Sequence, residues 1–337
     1  MTKTKKPQTQ TGTAAIRAHF LSARRGIEEA QAIDDPDPNL PRGDIQPGQW
    51  PGAPFDAMPP DCPVHVIGRD VEGTIYCLTA TNDMRQVAKW DHVGLVDLFA
   101  PYPNYAYWAW PGWSKAKVNS EGQVIEPPKV VRLERDKAAT CMINQAAKRP
   151  LFDPATHHRG RGGWADRHGA MLWHSGSALW RVDSKGELQK ARPGEHDGFL
   201  YTRQPVTIEP WEVPVQPHES PAQRILEDLK TWKWERPYLD PVLCLGWIAT
   251  ALMGGALKTR PVIFTTGGPG VGKTTMRELF RNVLDGAVFS VADTTAAGIY
   301  QRLKNDALMV MVDELENKPG STRAQSVIDL ARIAYSG

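Results

Sequence analysis

The stretch GGPGVGKTT at 267–275 carries the most specific chemical signal in the chain. It fits the pattern G-x-x-x-x-G-K-[ST], in which Gly267 and Gly272 are the fixed glycines and Lys273 and Thr274 follow. Glycines let a backbone wrap around an anion, because no Cβ atom blocks the inward-pointing N–H groups. A helix that begins here adds its positive N-terminal charge. The pattern therefore predicts a loop that binds the phosphate groups of a nucleotide.

The side chains of this loop are predicted to have separate roles. Lys273 is expected to place its ammonium group against the β- and γ-phosphates of ATP, and the Thr274 hydroxyl is expected to ligate Mg²⁺. Thr275 is expected to contribute its backbone N–H and hydroxyl near the α-phosphate. The full predicted nucleotide-binding set is Gly267, Gly268, Gly270, Val271, Gly272, Lys273, Thr274 and Thr275.

A second acidic motif follows about forty residues later, where ALMVMVDE at 307–314 reads as an apolar strand that ends in two carboxylates. Asp313 is predicted to hold Mg²⁺ through water, and Glu314 to polarise the attacking water, so that Glu314 and Lys273 are the predicted catalytic residues. An apolar run that ends in acidic residues is common by itself, but here one strand–helix unit, 287–305, separates it from the loop. That spacing favours ATPases with a catalytic glutamate, such as helicases and translocases, over simple kinases.

The elements that must position these residues follow a strand–loop–helix order. PVIFTT at 261–266 is predicted to be a buried strand that leads into the loop, and the helix continues through MRELFRNVL. Two further helices are predicted upstream, one over 220–232 and one from Pro241. The uncharged run 241–257 falls short of the roughly 20 residues of a membrane span and contains glycines, so it indicates a buried helix.

The whole chain of 337 residues is predicted to have four parts. They are a tail and linker over 1–60 with one helix at 14–32, a small α+β domain over 61–212, a helical connector over 213–257, and a P-loop core over 258–337. Inside the small domain we predict a hairpin around Glu72-Gly73, a helix over 81–100, a helix that ends near Arg149, and strands over 170–174 and 178–182.

Charge and cysteine content restrict the environment of the protein. Lys and Arg number 40 against 38 Asp and Glu, a balance that does not indicate nucleic-acid binding by itself. The four cysteines are scattered, which favours a reducing compartment, and the basic, polar N-terminus is unlike a secretory signal. We therefore expect a cytoplasmic location and no membrane association. Cys62 and His65 have ligand-like spacing, but no second pair lies nearby, so a zinc site is not favoured.

Two clusters could contact DNA. Aromatic residues between Tyr102 and Trp113 precede Lys115 and Lys117, and packing in the small domain is favoured over base stacking. The densest basic patch is expected to be a solvated loop, with DNA contact as the alternative; its members are His157, His158, Arg159, Arg161, Arg167 and His168.

Taken in order, LGWIATALMGGALKTRP, GGPGVGKTT, TAAGIYQ, MVDELE and LARIAYSG make the chain resemble the ATPase region of phage and prophage primase–helicase proteins. The upstream segment 159–180 is similar to the motif that precedes that module, so the resemblance covers roughly 61–337. It implies a Mg-ATP-dependent motor, oligomeric and hexameric in the family, that acts on single-stranded DNA in mobile-element replication beside other replication proteins. Lys273, Thr274, Asp313 and Glu314 match the family's nucleotide and metal positions.

The fold class implied is α/β, a RecA/AAA-like P-loop parallel sheet preceded by a small mixed α+β domain. In this ATPase class a further strand lies between the phosphate-loop strand and the Asp-Glu strand, and the sequence to Gly337 does not supply it. We therefore expect a C-terminally incomplete sheet, and an isolated chain that binds nucleotide and hydrolyses it poorly.

The segment 1–60 shows no primase cluster, so primase activity is not expected. Two alternatives stay open: another P-loop DNA motor, such as a translocating or packaging ATPase, and a truncated, non-catalytic remnant that binds DNA or a replication partner.

Overall fold

The computed structural model of the protein describes residues 45–183, 185–211, 213, 215–292, 294–313 and 323–336. The helix predicted over 14–32 and the residue Glu314 lie outside these ranges. The helices, numbered along the chain, are α1 (His92–Leu98), α2 (Pro103–Ala109), α3 (Arg135–Lys148), α4 (Pro154–His157), α5 (Pro221–Leu229), α6 (Asp240–Ala251), α7 (Lys273–Val283), α8 (Ala296–Leu303) and α9 (Arg323–Ser336).

The strands are short and numerous. They are β1 (His65–Arg69), β2 (Ile75–Leu78), β3 (Met84–Val87), β4 (Pro111–Trp113), β5 (Lys117–Val118), β6 (Val124–Glu126), β7 (Val130–Leu133), β8 (His158–Arg159), β9 (Gly162–Ala165), β10 (Met171–His174), β11 (Leu179–Val182), β12 (Leu188–Ala191), β13 (Gly194–His196), β14 (Phe199–Tyr201), β15 (Val288–Ala292) and β16 (Met309–Asp313).

The first sheet is an antiparallel meander in the order β1-β2-β3. The hairpin predicted around Glu72-Gly73 is confirmed, because the Asp70 carboxylate accepts the backbone N–H groups of Glu72 and Thr74 at 2.9 and 2.8 Å and so closes the turn. The helix predicted to end near Arg149 is also confirmed as α3, which packs against β1.

The helix predicted over 81–100 is wrong over most of its length. Met84–Val87 pairs with β2 as the third strand of the meander, and only α1 is helical. Asp91 is the N-cap of α1, where its side chain accepts the N–H of Gly94 at 2.8 Å. The cap at Asp91 therefore begins the helix at His92, eleven residues later than the apolar spacing predicts.

The aromatic cluster of the small domain is mainly core, as predicted. Tyr105 and Trp110 are each 1% exposed and pack with Phe99 and Trp50, and the Tyr105 hydroxyl donates to the carbonyl of Pro60 at 2.7 Å. Trp113 alone among the tryptophans of this cluster is largely exposed. Tyr105 and Trp110 are therefore unavailable for base stacking.

A second antiparallel meander has the order β12-β11-β10-β9, and β10 and β11 confirm the two strands predicted there. A small sheet has the order β13-β14-β8, in which two strands that follow this meander in the chain join one that precedes it. Together with the first meander, these sheets make the region before the connector an α+β arrangement with mostly antiparallel pairing.

The C-terminal part is mixed α/β. Strands β15 and β16 pair in parallel over five residues each, and α8 connects them. The core beneath them joins α5, α6 and α7 to β16 through Leu229, Ile248, Phe280 and Met309. Strand β15 and helix α8 match the strand–helix unit predicted over 287–305, and β16 matches the strand predicted at the acidic motif.

The predicted phosphate-loop strand is wrong. Residues 261–266 have no regular secondary structure, and the side chains of Val262 and Phe264 are 45% and 62% exposed. A strand requires a neighbour that takes up its N–H and C=O groups. Within the described ranges β15 and β16 pair only with each other, so no wider parallel sheet forms there.

Helix α6 is buried on one face only, whereas the sequence indicated a buried helix. Cys244 and Ile248 are 2% and 4% exposed, but Val242 and Leu243 lie about half exposed on the other side. Among the described residues, no helix combines the length and apolar character needed to cross a bilayer.

The glycine-rich segment at 160–164 joins the second meander to the start of β16; we call it the junction. Gly160 N–H donates to Asn305 O at 2.8 Å, and Ala307 N–H donates to Arg161 O at 2.7 Å. A Cβ atom at Gly163 would overlap the carbonyl oxygen of Leu252, so only glycine fits this close approach. Backbone contact thus fixes β16 relative to the antiparallel sheet.

Candidate phosphate-binding site

The loop 267–272 is anchored at its C-terminal side by helix α7. Met276 and Phe280 are 6% and 5% exposed and pack against α6 and Met309, so the helix is held by its apolar face. Lys273, Thr274 and the loop before them are exposed to solvent. The buried apolar face therefore holds the helix in place, and the N-terminus of the helix faces solvent.

Gly272 is the N-cap of α7 and has the left-handed conformation, with φ of +89°. Residues with a Cβ atom rarely adopt that conformation, which explains the glycine at this place in the pattern. The preceding Gly270 also has a positive φ, of +77°. Turns of this kind can form a concavity of backbone N–H groups that binds an anion.

Lys273 extends back over the loop. Its Nζ donates to the carbonyl oxygens of Gly267 and Gly268 at 2.5 and 3.1 Å. A cation is therefore already held above the backbone that the sequence predicted to surround phosphate. An anion in this loop would meet the Lys273 ammonium, the N-terminal amides of α7 and the helix dipole together.

Trp232 supports the loop from the connector. Its indole N–H donates to the carbonyl oxygen of Gly272 at 3.2 Å, and a Cβ atom on Gly272 would lie 2.8 Å from that indole nitrogen. The ring is half-buried and packs against the core around α5 and α7. No local sequence signal predicts this contact, because the two residues are forty positions apart.

Asp313 lies at the C-terminal end of β16, as predicted, and its carboxylate is 38% exposed. The structure brings it to α7, where Oδ2 forms an ion pair with Nη1 of Arg277. Arg277 follows Lys273 by one helical turn, and i,i+4 spacing is the signal that could have identified it. The predicted loop and the predicted metal carboxylate are therefore adjacent through α7.

The donor set at this place suits Mg²⁺, which prefers hydroxyl, carboxylate and water oxygens. Thr274 supplies an exposed hydroxyl and Asp313 an accessible carboxylate, although Arg277 engages that carboxylate in this structure. In the described ranges, no group of three or more His, Cys, Asp or Glu side chains could hold a metal ion by itself. A metal here would take its remaining ligands from nucleotide and water.

Two arginines of the predicted basic patch make internal contacts and are not in a solvated loop. The Arg159 guanidinium lies 3.3 Å from the centroid of Phe199 and donates to Ala165 O and the Tyr201 hydroxyl at 2.7 and 3.0 Å. Arg161 pairs with Asp306 at 2.6 Å. Partners distant in sequence explain the difference, since Tyr201 lies 42 positions from Arg159 and Asp306 lies 145 positions from Arg161. Arg167 and His168 are exposed.

Several buried titratable groups lie outside the loop. Burial raises the pKa of Cys77 to about 12 and that of Cys244 to about 11, so these thiols stay protonated and are poor nucleophiles. Burial also lowers the pKa of His158 and of the fully buried His174, which lie beside the junction. Nucleophilic chemistry is therefore not indicated at any of them.

Comparison of the chain with protein-family models, with curated proteins and with solved structures found no match.

Proposed function

We propose that the chain binds Mg-ATP in the loop 267–275 and is a helicase-like P-loop ATPase that acts on single-stranded DNA. The observation that supports this most directly is the position of the Lys273 ammonium above a glycine loop at a helix N-terminus, with Asp313 reached through the next turn of that helix. An exposed N-terminal turn, two positive-φ glycines and a nearby carboxylate form an arrangement that suits a polyphosphate with its cation.

Each residue has a defined role in this proposal. The loop amides and Lys273 would orient the phosphates, Thr274 and Asp313 would hold the metal, and Glu314 would polarise the attacking water. A bound Mg²⁺ would neutralise charge that develops on the phosphate oxygens. The hydrogen bond from Trp232 to the carbonyl oxygen of Gly272 would hold that peptide group in place, so that the loop amides keep one orientation.

The direct test is to titrate the purified chain with ATP in the presence of Mg²⁺ and to measure the binding heat by calorimetry. Lys273→Ala should weaken binding by about 10- to 100-fold, the range for hydrogen bonds to charged groups. Lys258→Ala is the matched control, since Lys258 is an exposed lysine outside the loop. Equal affinities for the wild-type chain and the Lys273→Ala variant would contradict the proposal.

A second measurement separates a motor from a non-catalytic remnant. Single-stranded DNA added to a turnover assay should increase the low rate of ATP hydrolysis expected of the isolated chain, and Glu314→Gln should abolish hydrolysis while nucleotide binding persists. Binding without any turnover, with or without DNA, would instead favour the remnant. The same assay on duplex DNA distinguishes a translocating or packaging ATPase from a helicase-like enzyme.

A further inference from the structure

We propose that the Arg277 guanidinium pairs with the carboxylate of Asp313 in the metal-free protein and releases it when a divalent metal binds. The inference rests on the proposed nucleotide site and adds a control step to it. Its starting observation is the ion pair between Arg277 Nη1 and Asp313 Oδ2, which links α7 to the end of β16. The proposed metal ligand and a guanidinium group therefore compete for one carboxylate.

The position of Arg277 on α7 supports the competition. At 3.6 residues per turn, Arg277 lies one turn after Lys273 and Thr274 along α7. Viewed down the helix axis, its direction falls between theirs. Side chains at i,i+3 and i,i+4 are neighbours on a helix surface. Arg277, which pairs with Asp313, is thus a neighbour of Thr274 on the surface of α7. A metal held by Thr274 and Asp313 would compete with Arg277 for the same carboxylate.

Arg277 also has a second carboxylate within reach. Its Nη2 lies 3.9 Å from Oε1 of Glu278, whose other oxygen pairs with Arg281 at 2.5 Å. The Arg277 and Glu278 side chains are 31% and 38% exposed, so neither is locked in the core. A guanidinium displaced from Asp313 would consequently keep an anionic partner on its own helix.

The charges predict the direction of the exchange. A divalent cation bound to one carboxylate and to nucleotide phosphates interacts more strongly with Asp313 than a single guanidinium does. Without metal, Arg277 screens the negative charge of Asp313 beside a loop built for anions. The ion pair therefore reduces the repulsion between Asp313 and an incoming phosphate. It also sets the Mg²⁺ concentration that is needed to fill the site.

The experiment compares the Mg²⁺ concentration that half-saturates nucleotide binding in three variants. Arg277→Gln should lower that concentration by about two- to fivefold, the range for a partly exposed ion pair. Glu278→Gln should raise it, because Arg277 loses its alternative partner. Lys258→Gln is the control, since it removes an exposed positive charge outside α7, and it should leave the concentration close to that of the wild type.

A second readout uses the metal alone, so that it does not depend on nucleotide. Binding of Mn²⁺, followed by electron paramagnetic resonance, should be tighter in Arg277→Gln than in the wild type, since manganese accepts the same oxygen ligands. If no variant and no wild-type chain binds nucleotide, the proposed function fails and the Mn²⁺ titration still decides the role of Arg277.

Two results would overturn the inference. One is equal metal affinity in the wild type and in Arg277→Gln, with unfolding curves that show both are folded. The other is weaker nucleotide binding by Arg277→Gln in the absence of metal with an unchanged Mg²⁺ requirement, which would make Arg277 a phosphate ligand. Arg277→Lys keeps the charge and should retain most of the wild-type metal requirement.

Discussion

The molecule contains two glycine-rich, basic segments with opposite environments. The junction, at 160–164, is mostly buried and its neighbouring arginines are engaged by Asp306 and by aromatic rings. The loop 267–272 is largely exposed, and its lysine contacts only loop carbonyls among the bonds described. Glycine at the junction permits close packing of two backbones, whereas glycine in the loop permits turns that present amides. Similar composition therefore supports a scaffold in one place and a candidate site in the other.

The largest effect should come from breaking the junction. Arg161→Met leaves the 7%-exposed Asp306 carboxylate without its guanidinium, which should lower the free energy of unfolding by about 3 kcal/mol. Urea denaturation measures the change. Arg167→Met, at an exposed position, is the control and should change stability by less than about 0.5 kcal/mol. Equal effects of the two substitutions would show that the ion pair at the junction does not stabilise the fold.

The loop should behave in the opposite way. Lys273→Ala removes hydrogen bonds that lie at the exposed surface, so the free energy of unfolding should change by less than about 0.5 kcal/mol. The loss should appear in ATP affinity alone. A marked loss of stability in this variant would show that the loop, like the junction, is a structural element.

Acid should weaken the junction before it affects the loop. Burial lowers the pKa of His158 and His174 in the folded protein, so the unfolded chain binds more protons below about pH 6.5. Stability is then fully present above that pH and falls as the pH decreases, by at most about 1.4 kcal/mol per pH unit for each histidine. Nearby Asp306 opposes the shift at both histidines, and Arg161 reinforces it at His174.

Denaturation at a series of pH values tests this. His174→Gln should reduce the pH dependence between about pH 5 and 7, and exposed His168→Gln should not. An identical slope in the wild type and in His174→Gln would exclude a role for the buried imidazole.

The smallest effect concerns the support of the loop. Trp232→Phe removes the hydrogen bond to Gly272 O but keeps an aromatic ring, at a cost of about 1 kcal/mol. Part of that loss should appear as weaker nucleotide binding. Trp234→Phe is the control, since its indole N–H donates to Leu229 O at 2.7 Å, away from the loop. Equal nucleotide affinities in the two variants would show that Trp232 does not position the loop.

The sequence predicted the elements that depend on local signals. The turn at Asp70–Thr74, the strand that ends at Asp313 and the helix that begins at Lys273 all follow from neighbouring residues. The sequence predicts the wrong secondary structure where partners distant in the chain determine whether a segment forms a strand. Met84–Val87 is a strand because β2 pairs with it, and 261–266 is not a strand because no described strand lies beside it. Arg161 meets Asp306 across 145 positions, a pairing that spacing does not reveal.

The junction has a mechanical consequence for Asp313. Ala307, bonded to Arg161 O, and Asp313 lie six residues apart along one extended stretch, a distance of about 20 Å at 3.3 Å per residue. A force that draws the carboxylate toward a ligand is therefore borne by two attachments. One is the pairing of the strand with β15, and the other is the bond at Ala307 that ties the strand to the antiparallel sheet.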